Sequence, residues 1–359
     1  MRLKYLILII LSALCAAGCL PVETLMAPAE LNIYGFTGDL PDTILRQFEQ
    51  EAGVLVTYET YSSNEELLFG LGATPNRYDL IILSDYTVEI LIDRKGLRPL
   101  DLNAIPNRVN IQPAFLAPAF DPGGTAKYTL PFQWGTTGIA YDQTKVKPPI
   151  TRWRDLWRPE LAGHLSVLDD AREMLGVGLQ VLGYDRNSID PAQLAAARDE
   201  LKLLAPGIVA FDADFPEKRL IYGEAWAAAI YSGDAALAAR GNPNIVYVLP
   251  QEGGGRWFDN FAIPSAAPHP ALAQRFIDFM LRADIGASML NDLPYSTANQ
   301  AALDYARDQL PELYREYTNN SASNPPPDAV AHTQPIVHIG EAANQLYEQY
   351  WAEVLAAAR

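Results

Sequence analysis

From residue 31 onward the chain alternates two hydrophobic periods. Leu31-Asn32-Ile33-Tyr34 is a short β-type run. Residues 41–52 carry Ile44, Leu45 and Phe48 at helical spacing, with Gly53 as the stop. Val54-Leu55-Val56-Thr57-Tyr58 predicts a second strand, and Ser63-Asn64-Glu65-Glu66 has the form of a capping box that opens another helix. Residues 78–83 are continuously apolar, the pattern of a strand covered on both faces, and residues 88–95 predict a helix that ends at Gly96. Residues 99–135 are rich in Pro, Gly and Asn and predict irregular structure, followed by a strand at 138–141. A second run of the same kind begins with a strand at 164–168. Helices at 171–182 and 191–204, strands at 225–231 and 245–249, and a strand ending at Ala262-Ile263-Pro264 follow. The remainder predicts mostly helix, clearest at 271–281 and 341–358, with a loop at 318–328.

Strands alternating with helices predict an α/β fold. The 359 residues exceed one compact domain. Two α/β runs joined by strands near 138–141 and 258–263 therefore predict two lobes and a hinge. The division expected is 31–140 plus about 263–303 for the first lobe, and about 141–262 plus 304–359 for the second.

The N-terminus reads as a targeting segment. Arg2 and Lys4 precede a short apolar run that ends in Ala16-Ala17-Gly18-Cys19. Small residues before a cysteine are similar to a bacterial lipobox, although Ala16 stands where Leu is usual. Residues 1–18 are expected to be a lipoprotein signal peptide, Cys19 the lipidated residue, and 19–30 a tether. Leu20 after the cysteine favours retention at the inner membrane. The alternative is an ordinary cleaved signal with a chance cysteine. Cleavage removes Arg2 and Lys4 and takes the net charge from −16 to −18. Cys15 leaves with the signal and Cys19 carries lipid, so no disulfide is expected.

Hydrophobic residues make up 49% of the chain, enough for a full core, and the pI is about 4.7. Such acidity excludes nucleic acid as an expected partner, because phosphate neutralisation needs a basic surface. It is compatible with a cationic ligand, and equally with solubility alone. The acidic residues, however, stand beside aromatics: Ser84-Asp85-Tyr86, Asp169-Asp170-Ala171-Arg172-Glu173, Tyr231-Ser232-Gly233-Asp234 and Trp257-Phe258-Asp259. Ring faces and carboxylates both attract organic cations. Thr37, 84–86 and 231–234 directly follow strands, which places them on the carboxyl rim where open α/β sheets bind ligands.

Each segment has a plainer reading. Asp170 and Glu173 have the spacing of a helix cap. Trp257 and Asp259 share one face of a strand, with Phe258 on the other, and Asp259 could form an internal salt bridge with Arg256 or Arg275. His164, His269, His332 and His338 show no metal-ligand spacing, and no phosphate loop or dinucleotide fingerprint is present. No catalytic residue, metal site or cofactor is therefore expected. A surface hydrolase using Asp170 and Glu173 is the enzymatic alternative.

Taken together with Tyr34-Gly35-Phe36-Thr37, Tyr78-Asp79-Leu80-Ile81, Pro131-Phe132-Gln133-Trp134-Gly135, Trp153-Arg154-Asp155-Leu156-Trp157 and Glu252-Gly253-Gly254, these segments resemble the bacterial spermidine/putrescine-binding proteins, the extracytoplasmic receptors of polyamine ABC importers. The resemblance runs from about Leu31 to the last helix. It implies a two-lobed periplasmic-binding-protein type II fold with a hinged cleft, and a ligand shell of Phe36, Thr37, Asp39, Ser84, Tyr86, Asp170, Glu173, Tyr231, Asp234, Trp257, Asp259 and Tyr295. Trp257, Tyr231, Phe36 and Tyr86 would flank a methylene chain, and Asp170, Glu173, Asp234 and Asp259 would bind ammonium groups. Phe36 and Tyr231 stand where Trp is usual, Gly38 stands where an acid is usual with Asp39 next to it, and the Gln expected before the last helix is replaced near Val337. The implied partners are a polyamine, the permease subunits of an ABC transporter and the membrane through the lipid at Cys19. The protein is expected to be a monomer. A receptor for another organic cation such as thiamine is the alternative.

Overall fold

The computed structural model describes residues 29–121 and 126–358. The signal segment, Cys19 and nearly all of the 19–30 tether lie outside the described residues. Eleven strands are present among them: β1 (Glu30–Phe36), β2 (Leu55–Tyr61), β3 (Leu80–Ser84), β4 (Leu97–Arg98), β5 (Thr129–Asp142), β6 (Leu165–Val167), β7 (Ile208–Phe211), β8 (Ala227–Tyr231), β9 (Ile245–Val248), β10 (Gly255–Pro264) and β11 (Gln334–Pro335). They hydrogen-bond in the order β2-β1-β3-β10-β5-β8-β6-β7, with β4 and β11 on β10 and β9 on β5. β1, β2 and β3 are parallel, as are β6, β7 and β8, whereas β5 and β10 run antiparallel to their neighbours on that path.

Side-chain alternation gives each half of this sheet a core on both faces. Leu31 and Ile33 of β1 pack with Phe261 and Ile263 of β10, Phe48 of the helix Asp42–Ala52 and Phe276 of the helix Pro270–Met280. Tyr34, the next residue along, turns to the opposite face with Tyr61, Tyr78 and Leu83. In the other half Ile139, Leu165, Val167 and Ala227 face Trp153, Leu175 and Tyr347. Ala140, Ala228 and Ile230 face Leu220 and Ala235. Each fully buried side chain of this size contributes on the order of 1.5–3 kcal/mol relative to exposure.

β5 belongs to both halves, giving Leu130 to the first core and Ile139 to the second. Together with β10 it forms the crossing between two separately packed bodies, the arrangement that permits hinge closure. The fold is the expected two-lobed α/β one. The helices Gln300–Gln309 and Pro311–Asn319 carry packing on the helix Ala283–Asp292 beyond residue 303, and the second core draws its last helix from Glu341–Ala357. No helix among the described residues is long and apolar enough to cross a membrane.

Three expectations need correction. Residues 129–135 are strand rather than irregular chain. Pro131 is tolerated there because β5 and β10 shift register between Asp259 and Asn260, skipping Phe132. The helix expected at 88–95 is Asp85–Asp93, beginning directly after β3, and Lys95 rather than Gly96 takes the left-handed conformation (φ 54°) after it. The helix Ser232–Gly241 went unpredicted, because Gly233 and Gly241 lower its propensity.

Candidate functional site

Strand register assembles the floor of the cleft. Asp259 on β10 lies across from Ser84 on β3 and Gln133 on β5, so three side chains from neighbouring strands form one row. Gln133 Nε2 donates to the Asp259 Oδ2 at 3.3 Å, and the Ser84 hydroxyl beside it accepts from Asn64 Nδ2 at 3.0 Å. Two residues back, Trp257 pairs with Gly135, where an added Cβ would come within 2.5 Å of the indole. Only glycine leaves room for that ring. Phe258 points to the opposite face, where it is half-buried against Phe115, Phe120 and Trp134 rather than in the main core.

Trp257 is the middle of an aromatic wall. It meets Tyr231 edge-on (5.7 Å, 85°) and Tyr295 in the same manner (5.3 Å, 69°). Tyr295 lies over Gly233, where a Cβ would sit 2.4 Å from the ring. Each tyrosine ties the wall to an acid: Tyr231 donates to Asp170 Oδ2 at 3.1 Å, and Tyr295 to Asp234 Oδ2 at 3.0 Å. All twelve candidate residues line one cavity of about 280 Å³ between the lobes.

The candidates differ in what already holds them. Phe36 is half-buried against Tyr61, with ring centroids 4.5 Å apart, and the Thr37 amide donates to the Tyr61 carbonyl at 3.1 Å. Asp39 turns inward. Its Oδ1 accepts from Gln133 Nε2 at 3.1 Å, and its buried Oδ2 has no partner. Asp170 both caps and faces the cleft, because Oδ1 accepts from the Glu173 amide at 2.9 Å while Oδ2 takes the Tyr231 hydroxyl. Glu173 is 1% exposed and already paired: Arg186 donates to Oε2 at 2.7 Å and Thr137 Oγ1 to Oε1 at 2.8 Å. Tyr86 carries the Arg172 guanidinium 5.3 Å from its ring centroid and donates to Glu65 at 3.4 Å, so its cation–π capacity is partly engaged within the protein. Asp259 has neither Arg256 nor Arg275 as a partner, and the Gln133 amide that donates to it is neutral.

Desolvation sets the protonation of these acids. It pushes Asp259 up to about 7, and Asp234 up to about 8 with help from the Glu217 charge. It pushes Asp170 up to about 6, where Glu173 adds to the effect. Asp39 is held well above the usual carboxylate range by burial and by the Asp259 charge beside it. Raised carboxyls with no cationic partner are poised to accept a cation from outside. Of the lining residues only Arg172 is basic, and its two terminal nitrogens donate to Asn344, Asn187 and the Val337 carbonyl rather than to an acid of the cleft. Among the described residues no group of three or more His, Cys, Asp or Glu is placed to hold a metal ion.

The cavity is also lined by Asn64, Asp85, Gln133, Arg172 and Glu217, none of which belongs to the expected ligand shell. Gln133 stood inside the 131–135 segment quoted above. Its role follows only from the register of β5 against β10, which the segment does not reveal. Arg186 gave no signal at all, since it reaches Glu173 from a separate loop.

The fold and this cleft define a two-lobed ligand receptor whose site combines an aromatic wall with unneutralised acids. Comparison with known proteins specifies the class further. The model of the family "Bacterial extracellular solute-binding protein" matches residues 43–318, and the chain belongs to that family. It is 34% identical to the spermidine/putrescine-binding periplasmic protein of Escherichia coli (strain K12), over 96% of this chain and 97% of that protein. Among solved structures, a spermidine/putrescine ABC transporter chain of Listeria monocytogenes superposes with a TM-score of 0.85 at 30% identity, covering 90% of this chain and 98% of the other. The spermidine/putrescine ABC transporter substrate-binding protein of Streptococcus pneumoniae gives 0.73 at 32% identity, covering 92% and 100%.

Proposed function

We propose that this protein binds a protonated polyamine, putrescine or spermidine, in the interlobe cleft and delivers it to the permease of an ABC importer. One observation carries the reading. Asp39, Asp234 and Asp259 line the cleft with Trp257 and Tyr295, and no lysine or arginine among the described residues pairs with them. An alkyl diamine supplies what is missing, with ammonium groups for the acids and methylenes for the wall. The names of the relatives support the same ligand class. Trp257, Tyr231 and Phe36 flank the methylene chain. Asp39, Asp170, Asp234 and Asp259 receive the ammonium groups, and Glu173, already neutralised by Arg186, orients Thr137 and the helix start. The receptor acts as a monomer held to the outer face of the membrane through lipid at Cys19.

Isothermal titration calorimetry of the folded body with putrescine, spermidine and spermine tests the ligand. Micromolar or tighter binding of any of them is the expected result. Silence with all three, together with binding of thiamine or another organic cation, would overturn it. For the anchor, the full chain expressed in a bacterium is expected in the membrane fraction and Cys19→Ala in the soluble extracytoplasmic fraction. Identical fractionation of the two would remove the anchor from the proposal.

A further inference from the structure

We infer that Gln133 is a positioning and selectivity residue, which gathers Asp39 and Asp259 into a single subsite for a primary ammonium group. The inference rests on the polyamine reading above. The two acids come from different elements, Asp39 from the loop after β1 and Asp259 from the middle of β10, and are only 7% and 5% exposed. Left to themselves, two buried carboxylates repel and turn apart. The Gln133 amide has two N–H bonds and places one on each, at 3.1 Å and 3.3 Å. The register skip at Phe132 is what brings Gln133 directly opposite Asp259.

The amide leaves a defined vacancy in hydrogen bonding. Gln133 satisfies part of Asp259 and the Oδ1 of Asp39, and Asp39, a residue of the cavity lining, keeps a buried Oδ2 without a partner. A primary ammonium has three N–H donors and can span both carboxylates at once. A tertiary ammonium has one donor and bulky methyls, so it can satisfy only one of them. Discrimination against a ligand that leaves buried acceptors unpaired is steep. The groups around the pair are Asp234 on the helix Ser232–Gly241, Asp85 at the start of the helix Asp85–Asp93, Tyr58 and Tyr61 on β2, and Tyr295. Arg256 is felt at Asp85, and no basic side chain among the described residues hydrogen-bonds to Asp39 or Asp259. Gln133 is thus the neutral element that keeps two acids together without supplying the charge that the ligand must bring.

The test is calorimetry of the wild-type chain and of Gln133→Met, which keeps length and bulk without a donor, using putrescine and N,N,N′,N′-tetramethylputrescine between pH 6 and 8. The wild type is expected to prefer putrescine by about a hundredfold or more. In Gln133→Met, putrescine affinity falls about tenfold or more and the preference narrows. The curve of affinity against pH moves to higher pH, because a carboxylate pair without its donor holds its proton more tightly. A purely structural glutamine would lower the melting temperature without moving that curve. Putrescine binding by Gln133→Met with wild-type affinity, pH midpoint and discrimination would overturn this inference alone. Absence of binding by the wild type would overturn the polyamine reading and this one with it. If the Met variant does not fold, Gln133→Asn, which is one methylene shorter and reaches only one of the two acids, is read in the same way.

Discussion

Glu173 and Asp259 are both nearly inaccessible carboxylates in one cleft, and the protein treats them in opposite ways. Glu173 receives Arg186 at 2.7 Å and Thr137 at 2.8 Å, and is electrically complete. Asp259 receives the neutral Gln133 amide, and no basic side chain among the described residues pairs with it. The first belongs to the scaffold, because it welds the helix Ala171–Val181 to the loop that carries Arg186. The second is unfinished until a cation arrives. Residue type and position in the cleft do not separate these roles, whereas the charge of the partner does. If that criterion is right, mutations in the two pairs separate stability from affinity.

The largest expected effect lies in the scaffold pair. Arg186→Met leaves Glu173 buried without its cation, and losing one partner of such a pair costs about 3–5 kcal/mol. Thermal unfolding will show it as a large fall in melting temperature, and an unchanged melt would mean that Glu173 does not depend on Arg186. Asp259→Ala is expected to do the reverse. Polyamine affinity falls by about 2–5 kcal/mol, because an ammonium loses its buried counter-charge. The empty protein melts at the same temperature or higher, since a buried repulsion with Asp39 is gone. Unchanged affinity in calorimetry would sink the assignment of Asp259 to the ligand.

Much of this was legible in the chain. Strand and helix periodicity gave both α/β halves, because Leu31, Ile33 and Phe48 or Leu165, Val167 and Leu175 must share a face to be buried. The residues after strands marked the rim. Pairing across strands was not legible. Nothing local says that Asp259 faces Gln133, that Gly135 must be small for Trp257, or that Arg186 will reach Glu173. Those facts depend on register and on a skipped Phe132, which are properties of two segments at once. The same limit explains why Tyr86 seemed free to flank a ligand: Arg172, which partly occupies its ring, was read only as part of a helix start.

The unfinished acids also predict a pH dependence, smaller than either mutation. In the empty protein Asp170, Asp259 and Asp234 sit at about 6, 7 and 8, above the ordinary carboxylate range. A raised folded-state value favours the folded protein at low pH. Their contribution to stability is therefore fully present below about pH 4 and is lost as pH climbs toward 8. Ligand binding runs the other way, because ammonium groups need ionised partners. Affinity rises from pH 6 to 8, by about tenfold per pH unit for each proton displaced. Binding at pH 7 releases protons, which calorimetry in buffers of different ionisation heat will count. A flat affinity curve with no proton release would mean that the carboxylates are already ionised in the empty cleft.

The smallest effect lies at the mouth of the cleft, between the lobes. Asn344, on the helix packed against the second core, donates to Glu65 Oε1 at 3.1 Å, at the start of the helix Asn64–Ala73 on the first. Its own Oδ1 accepts from Arg172 at 3.1 Å, and Arg172 lies over Tyr86, whose hydroxyl donates to the same Glu65 oxygen. The Asn344–Glu65 bond and the Arg172–Tyr86 contact cross from one lobe to the other, so they exist only when the lobes are together, and they touch the closed state without touching the ligand's charge. Asn344→Ala removes the one hydrogen bond it makes across the lobes and its bond to Arg172 within the second, both partly exposed to solvent, at about 0.5–1.5 kcal/mol in total. Because the loss falls on closure itself, it lowers the affinity for every ligand that closes the cleft by the same factor. Calorimetry with putrescine and spermidine will return equal reductions for the two. A reduction confined to one ligand would place Asn344 in that ligand's own shell, and the distinction between acids that complete the protein and acids that await a cation would then have to extend to the mouth of the cleft.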